Sequence, residues 1–240
     1  MKTKAILLGL VLTIGLLTSC DHDTIRASDA VSSLDYSIPD YATLEVSNAF
    51  NTTVTFSDTE ESIRIEANEN LHDRIVVKRE GNSLVIRLKK FTNVRGNATL
   101  NAYIVTKDIS NFDVSGASKI TLDNLWDNPN GRIELSGASN FTGEVAVDRL
   151  NLDLNGASRL DIYGSATSLD AELSGSSDIR DFDLAVENAK LEMSGASEAN
   201  LSISESIDIR ASGASSLKFK GNAKITYKRL SGASEIVKID

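Results

Sequence analysis

Ser115-Gly116-Ala117-Ser118 opens the stretch that decides the fold, because this four-residue phrase recurs seven times, with small variations, as far as Ser231-Gly232-Ala233-Ser234. The glycines of the seven phrases are Gly116, Gly137, Gly156, Gly175, Gly195, Gly213 and Gly232. Successive glycines are separated by 21, 19, 19, 20, 18 and 19 residues. A period near twenty residues is typical of a solenoid in which each repeat is one supersecondary unit.

The residues around each glycine alternate between apolar and polar. Two positions before the glycine stand Val114, Leu135, Leu154, Leu173, Met193, Ala211 and Leu230. Four positions after it stand Ile120, Phe141, Leu160, Ile179, Ala199, Leu217 and Ile236. A period of two indicates β-strands with one buried face. Two strands around a small-residue corner, with a more variable third segment, predict one coil of a parallel β-helix. The fold class is therefore all-β, with about seven coils over residues 109–240.

The seven glycines are interpreted as structural corners of this solenoid. Glycine adopts a positive φ without steric cost, and small flanking residues can stack where neighbouring coils pass about 4.8 Å apart. A serine stands two positions after every one of these glycines. Such a column can hydrogen-bond along the axis or to local backbone amides, and a nucleophile would be needed only once and beside a base. The serine column is therefore interpreted as structural.

The N-terminus has the organisation of a secretion signal. Lys2 and Lys4 precede an apolar run over residues 5–17, which is too short to span a bilayer as a stable helix. The segment Leu17-Thr18-Ser19-Cys20 resembles the bacterial lipoprotein box, which implies cleavage after residue 19 and lipidation of Cys20. Cys20 is the only cysteine in the chain, so an intrachain disulfide is excluded. The sequence predicts a signal peptide over residues 1–19 and a bacterial envelope protein held by its lipid, with the outer membrane as the expected membrane.

Two further segments precede the repeats. Residues 20–35 are polar and without periodicity, so we predict a tether between the lipid and the folded body. Residues 36–108 alternate in the manner of strands but lack the corner phrase, and residues 75–88 read as a hairpin that turns at Gly81-Asn82. This N-terminal β region is predicted to begin and cap the solenoid. Residues 126–131 are predicted to form a loop in the longest repeat.

Composition excludes several function classes. Without Lys2 and Lys4, the chain has 23 basic and 34 acidic residues, a net charge of about −11, so nucleic acid is not an expected partner. His22 and His72 cannot form a local cluster, so neither a zinc site nor a Ser-His pair is supported. No dinucleotide or phosphate-binding fingerprint is present, because the glycines recur singly. No catalytic residue, metal site or cofactor is therefore assigned.

One column of charged residues is unusual. Three positions before the glycine stand Asp113, Glu134, Asp153, Glu172 and Glu192, followed by Arg210 and Arg229. Like charges directly opposite each other on neighbouring strands are destabilising. Solvent, salt and nearby bases such as Arg132 and Lys190 offer one explanation. The alternative is a stripe that binds a divalent cation, with calcium as the candidate, or a cationic partner.

The lipoprotein box, the alternating N-terminal region and the repeated corner phrases together resemble the putative auto-transporter adhesin, head GIN domain family of Bacteroidetes-type envelope proteins, over roughly residues 36–240. The resemblance implies a right-handed parallel β-helix and a role in adhesion or envelope structure, with no catalytic residues. It favours a non-enzymatic module that presents stacked faces to an unknown surface glycan or protein.

Two alternatives remain open at this point. A carbohydrate-active β-helix enzyme, a lyase or a hydrolase, is the first, although aromatic residues are only 5% of the chain and no unique pair of carboxylates stands out. Self-association through the ends of the coils is the second, because an open end would leave strand edges unpaired.

Overall fold

The computed structural model describes residues 23–240, which form twenty strands and one short 3₁₀ helix. The strands are β1 Asp23–Arg26, β2 Val31–Tyr36, β3 Thr43–Val46, β4 Asn51–Phe56, β5 Ser62–Asn68, β6 Ile75–Glu80, β7 Ser83–Leu88, β8 Thr92–Arg95, β9 Leu100–Thr106, β10 Asn111–Val114, β11 Lys119–Leu122, β12 Trp126–Leu135, β13 Asn140–Leu154, β14 Arg159–Leu173, β15 Asp178–Ile179, β16 Leu184–Met193, β17 Glu198–Ala211, β18 Ser216–Lys220, β19 Lys224–Leu230 and β20 Glu235–Lys238. The 3₁₀ helix is Glu69–Arg74. Within this described part, no helix has the length and apolar character needed to cross a bilayer.

The repeats stack into three parallel ladders. Ladder 1, which precedes the corners, contains in spatial order β7, β3, β10, β12, β13, β14, β16, β17 and β19. Ladder 2, which follows the corners, contains β9, β4, β11, β13, β14, β15, β17, β18 and β20. Ladder 3 contains the starts of β12 and β16 and the middle of β13, β14 and β17. The predicted all-β solenoid of about seven turns is confirmed.

The core is a narrow column of apolar side chains that runs along the solenoid axis. One coil contributes to it Leu160, Ile162, Ala166, Leu169, Ala171 and Leu173, each at most 3% exposed. Because side chains alternate between the two faces of a strand, the same alternation that buries these residues sends every second residue outward. Burial of each large aliphatic side chain stabilises the fold by about 1.5–3 kcal/mol. This alternation therefore determines both the apolar interior and the columns of outward side chains on the surface.

The solenoid begins one coil earlier than the corner phrase indicates, and this first coil starts within residues 36–108, the region predicted to begin and cap the solenoid. Strands β3 and β4 pair in parallel with β10 and β11. Their corner is Asn48-Ala49, with φ of 67° and 63°, and the Ala49 N–H donates to the Gly116 carbonyl over 3.0 Å. Asparagine tolerates the left-handed region better than other non-glycine residues, so it can take the place of the corner glycine here.

Antiparallel pairs occupy the end of the solenoid beyond this first coil. β6 and β7 form a hairpin across Gly81-Asn82, and β7 adds to the outer edge of β3 in ladder 1. β5 pairs antiparallel with β9 and also with β2. These pairs cover ladder edges that a first coil would otherwise leave open.

The predicted tether over residues 20–35 is wrong for its described part. β1 pairs with β8, and β2 pairs with β5, so residues 23–36 belong to the folded body. The side chains of β2 are mostly exposed because it lies along the outside of β5, so its sequence carries little of the alternation that marks a half-buried strand. The described residues do not include the signal peptide over residues 1–19, Cys20, or residues 21 and 22 of the tether.

The predicted loop over residues 126–131 is also wrong. These residues begin strand β12, and the Trp126 side chain is 1% exposed. Its Nε1–H donates to the Ile109 carbonyl over 2.7 Å, and its ring meets that of Phe112 edge-on at a centroid distance of 5.1 Å. Gly131 makes room for the indole, since a Cβ at this position would lie 2.5 Å from Trp126 Cη2. Trp126 is therefore a core residue.

Candidate functional site

The corners form a continuous file along one edge of the solenoid. A Cβ built on Gly175 would lie 2.4 Å from the carbonyl oxygen of Gly156 in the coil below, and Gly195, Gly213 and Gly232 repeat this arrangement on their own neighbours. The Ser176 N–H donates to that same Gly156 carbonyl over 2.7 Å. A backbone hydrogen bond thus joins each of these corners to the next, and a side chain at the glycine would clash with the carbonyl oxygen that accepts it.

The serine column lies buried behind the corners. Ser118, Ser139, Ser158, Ser177, Ser197 and Ser215 are at most 1% exposed. Ser139, Ser215 and Ser234 each donate from Oγ to the carbonyl three residues earlier, over 2.6–2.7 Å. Ser177 and Ser234 also donate to a carbonyl of the coil below, that of Leu154 and Ala211 respectively, which is the hydrogen bonding along the axis that the sequence allowed. The local partners are carbonyls and not backbone N–H groups, and the hydroxyls of Ser118, Ser158 and Ser197 have no hydrogen-bond partner. The described histidine, His72, contacts Ser32 (Nε2 to Oγ, 3.1 Å) and none of the corner serines.

The charged column forms a straight stripe on the outer face of ladder 1. The strand register places Asp113 beside Glu134, then Asp153, Glu172 and Glu192 in order, with Arg210 and Arg229 completing the column. Glu45, opposite Asp113 in the first coil, extends it by one residue. The sequence did not reveal Glu45 because its corner, Asn48-Ala49, lacks glycine. We refer to Glu45, Asp113, Glu134, Asp153, Glu172 and Glu192 as the carboxylate stripe.

Bases compensate the stripe unevenly. Arg132 forms an ion pair with Glu134, and Arg210 pairs with Glu192 over 3.2 Å. The Asn155 amide donates to Asp153 over 2.6 Å. Desolvation, together with the neighbouring carboxylates of Glu134 and Glu45, raises the pKa of Asp113 above its ordinary value. Burial, with the two neighbouring carboxylates in addition, therefore disfavours the ionised form of Asp113.

The geometry gives no support for a metal centre in the described part of the chain. Across residues 23–240, no three His, Cys, Asp or Glu side chains are placed to hold one metal ion. The carboxylates occupy one coil each, and successive coils are about 4.8 Å apart along the axis. The expectation of calcium thus depends on the charge of the stripe alone.

Two shallow surface grooves run beside the stacked coils. One, with a volume of about 430 Å³, lies between the stripe and the corners and is lined by Glu172, Glu192, Arg210 and corner residues such as Ser194. The other, of about 420 Å³, runs along ladder 3 and is lined mainly by small residues. Both cross several coils, and in the first groove the outward column changes from carboxylates to Arg210 and Arg229. This geometry suits extended contact with a chain or a surface and does not enclose a small substrate.

Comparison with known proteins agrees with this geometry. A search of curated proteins found no match. The solved structures that share the fold include the following three. A putative adhesin from Bacteroides fragilis is 23% identical, with a TM-score of 0.80, and the match covers 90% of this chain and 100% of that chain. A putative lipid binding protein from Parabacteroides distasonis is 17% identical, with a TM-score of 0.75, covering 91% and 100%. A putative adhesin from Parabacteroides merdae is 15% identical, with a TM-score of 0.70, also covering 91% and 100%.

The family comparison settles the resemblance that the repeats suggested. The family model described as "Putative auto-transporter adhesin, head GIN domain" matches residues 40–223. This range extends from before the first corner, Asn48-Ala49, to just after β18. The matched range covers well over half of the chain. The chain therefore belongs to the putative auto-transporter adhesin, head GIN domain family.

Proposed function

We propose that this protein is a non-enzymatic adhesion or binding module of the bacterial cell envelope, held by a lipid on Cys20, with the outer faces of the solenoid as its contact surface. The observation that carries the proposal is the arrangement of the surface. Outward columns continue in register from coil to coil, so a ligand meets one outward side chain per coil along the axis, with carboxylates over several successive coils. The family, whose described role is adhesion, supports the same conclusion.

The surface chemistry supports a glycan or protein partner. The groove beside the stripe offers carboxylates, serine hydroxyls and the Arg210 guanidinium. Such groups hydrogen-bond to hydroxyls and amides of an extended chain. Each contact is weak in water, and its repetition along several coils supplies avidity, provided that the partner also repeats. A lipid-binding role, named for one structural relative, would instead require an apolar surface or cavity.

Anchoring is tested with Cys20→Ala and the control Ser19→Ala, which leaves the cysteine in place. The full-length protein and the control are expected in the membrane fraction with label from radioactive palmitate, and Cys20→Ala is expected to lose both. Membrane retention of Cys20→Ala without label would contradict the lipid anchor.

Surface exposure is tested on intact cells with a membrane-impermeant maleimide. Ala138→Cys places a thiol on an exposed corner, whereas Ser139→Cys places one in the buried serine column next to it. Labelling of the Ala138 variant, with none of the Ser139 variant, is the expected result. Labelling of Ala138→Cys only after the cells are lysed would assign the protein to the interior of the envelope.

Binding itself is tested with glycan arrays and with cells that display the protein on immobilised host proteins. Glu172→Gln and Glu192→Gln are expected to weaken adhesion at unchanged melting temperature. A turnover of glycan that one carboxylate substitution abolishes would overturn the non-enzymatic proposal in favour of a carbohydrate-active enzyme.

A further inference from the structure

The final coil differs from every coil before it. In β17, Ile209 is 0% and Ala211 is 5% exposed, whereas the last strand of ladder 1, β19, is exposed along its whole length. Ile225 and Tyr227 are each 42% exposed and Leu230 is 36% exposed. Within the described residues, β19 pairs with β17 alone and has no strand on its other side. We refer to this free side of β19 as the open edge.

Some backbone N–H and C=O groups of the open edge point away from β17. The Ser231 N–H donates to the Ala211 carbonyl, and Ala211 stands opposite Leu230 in the parallel register. In a parallel ladder, alternate residues point their N–H and C=O groups to opposite sides. Lys228 and Leu230 therefore direct both backbone groups away from the solenoid. These groups form a row of donors and acceptors that an added strand could satisfy.

The charge of the last coil is opposite to that of the whole chain. Residues 224–240 carry Lys224, Lys228, Arg229 and Lys238 against Glu235 and Asp240, in a chain with a net charge of −9. Across residues 23–240, the ion pairs involve none of these four basic residues. The end of the solenoid is therefore a basic patch with apolar side chains exposed between its charges.

Lysines also replace apolar residues inside the final coil. Lys228 stands opposite Ile209, and Lys238 stands opposite Phe219, so both occupy columns that are buried in the coil below. A neutral apolar strand added here would bury these charges without a partner, which is costly. A second copy of the same edge would bring lysine against lysine. Carboxylates on the added strand would neutralise them.

We propose that the open edge of β19 binds an extended acidic segment of another polypeptide by adding it as a further strand. Apolar side chains of that segment cover Ile225 and Leu230, and carboxylates on its inward face pair with Lys228. An anionic bilayer satisfies the charges but leaves the backbone groups of Lys228 and Leu230 without partners, and such groups are costly in an apolar medium. The strand partner satisfies all three features.

The test is a fluorescence-anisotropy titration of the full-length protein with a labelled short peptide of Glu-Thr-Val-Thr repeats, in which Glu and Val alternate along one face of the extended strand. Saturable binding is expected, with no binding of the matched peptide in which Lys replaces Glu or of an acidic peptide in which proline replaces alternate valines. Lys228→Glu is expected to weaken binding at least tenfold. Arg229→Glu makes the same charge change on the outward side of the strand and is expected to weaken it far less.

Leu230→Pro is the second variant, because it removes an N–H that only an added partner would use. It is expected to abolish peptide binding while the melting temperature stays within a few degrees. Equal binding of the peptide to wild type and Lys228→Glu, or tight binding of the proline-containing peptide, would overturn strand addition. Binding to phosphatidylglycerol vesicles in place of the peptide would assign the edge to a membrane. A dimer that Leu230→Pro dissociates would assign it to a second copy.

Discussion

Replacement of Gly175 by alanine tests whether the corners of successive coils are held in close contact with one another. Gly175 has a φ of +74°, and its added Cβ would lie 2.4 Å from the Gly156 carbonyl oxygen. That oxygen cannot retreat freely, because it also accepts the Ser176 N–H over 2.7 Å. The substitution therefore combines a left-handed alanine with a steric clash inside the stack.

The magnitude follows from these two contributions. A left-handed conformation costs a residue other than glycine about 1–2 kcal/mol. Overpacking costs a further 1–3 kcal/mol or so when the neighbours must shift. The free energy of unfolding should thus fall by about 2–5 kcal/mol, which corresponds to a fall of about 2–4 °C in melting temperature per kcal/mol for a chain of this size. Gly175→Val, with a β-branched side chain, should be worse still.

Gly81→Ala is the matched control. Gly81 has a φ of +62°, yet nothing lies within 4 Å of a Cβ at this position in the hairpin turn. This variant should lose only the conformational contribution, about 1–2 kcal/mol. Urea unfolding followed by far-UV circular dichroism compares the two variants on the same scale. Equal losses for Gly175→Ala and Gly81→Ala would refute the stacked-corner account.

Three further predictions concern single side chains. Ser177→Ala should lower the free energy of unfolding by about 1 kcal/mol, because the Ser177 hydroxyl donates to the Ser174 carbonyl over 3.0 Å. Ser158→Ala removes a hydroxyl that has no hydrogen-bond partner and should be neutral in the same urea experiment. Asp113→Asn should raise the melting temperature at pH 7. The pKa of Asp113 is higher in the folded than in the unfolded state, so its ionised form opposes folding as the pH rises above about 4. An equal gain in melting temperature at pH 7 and at about pH 3 would be inconsistent with this cause. Trp126→Phe should cost about 1–3 kcal/mol because it leaves the buried Ile109 carbonyl without its donor, and an unchanged melting curve would show that this carbonyl finds another partner.

The sequence revealed the coils because one short phrase repeats at nearly constant spacing. Gly116 and its six successors can be compared with each other inside one chain, so the period and the buried columns required no further information. The carboxylate stripe followed from the same comparison, since residues at equal distance from each glycine share a face. Five of its six members were found in this way.

The elements of the fold that the sequence did not reveal lack either the corner phrase or the alternation of apolar and polar residues. Asn48 replaces the corner glycine, and 68 positions separate Thr43 from its ladder partner Asn111, so no regular spacing indicated the first coil. Strand β2 lies along an outer edge with exposed side chains, and its polar sequence therefore resembled a tether. Trp126 was assigned to a loop because the Asp-Asn-Pro-Asn-Gly run that follows it is typical of turns. In the fold, ladder pairing with β13 overrides that local preference.

The most direct test of the central claim is the distance between spin labels on exposed corners, measured by double electron–electron resonance in a Cys20→Ala background. Corners one coil apart are separated by about 4.8 Å along the axis. Labels at Ala138 and Ala214 are four coils apart and should lie about 19 Å from each other, and moving the second label to Ala233 should add about 5 Å. Labels at Ala157 and Ala233, also four coils apart, should reproduce the first distance. Distances that do not increase with the number of intervening coils would contradict a solenoid whose corners stand in one file.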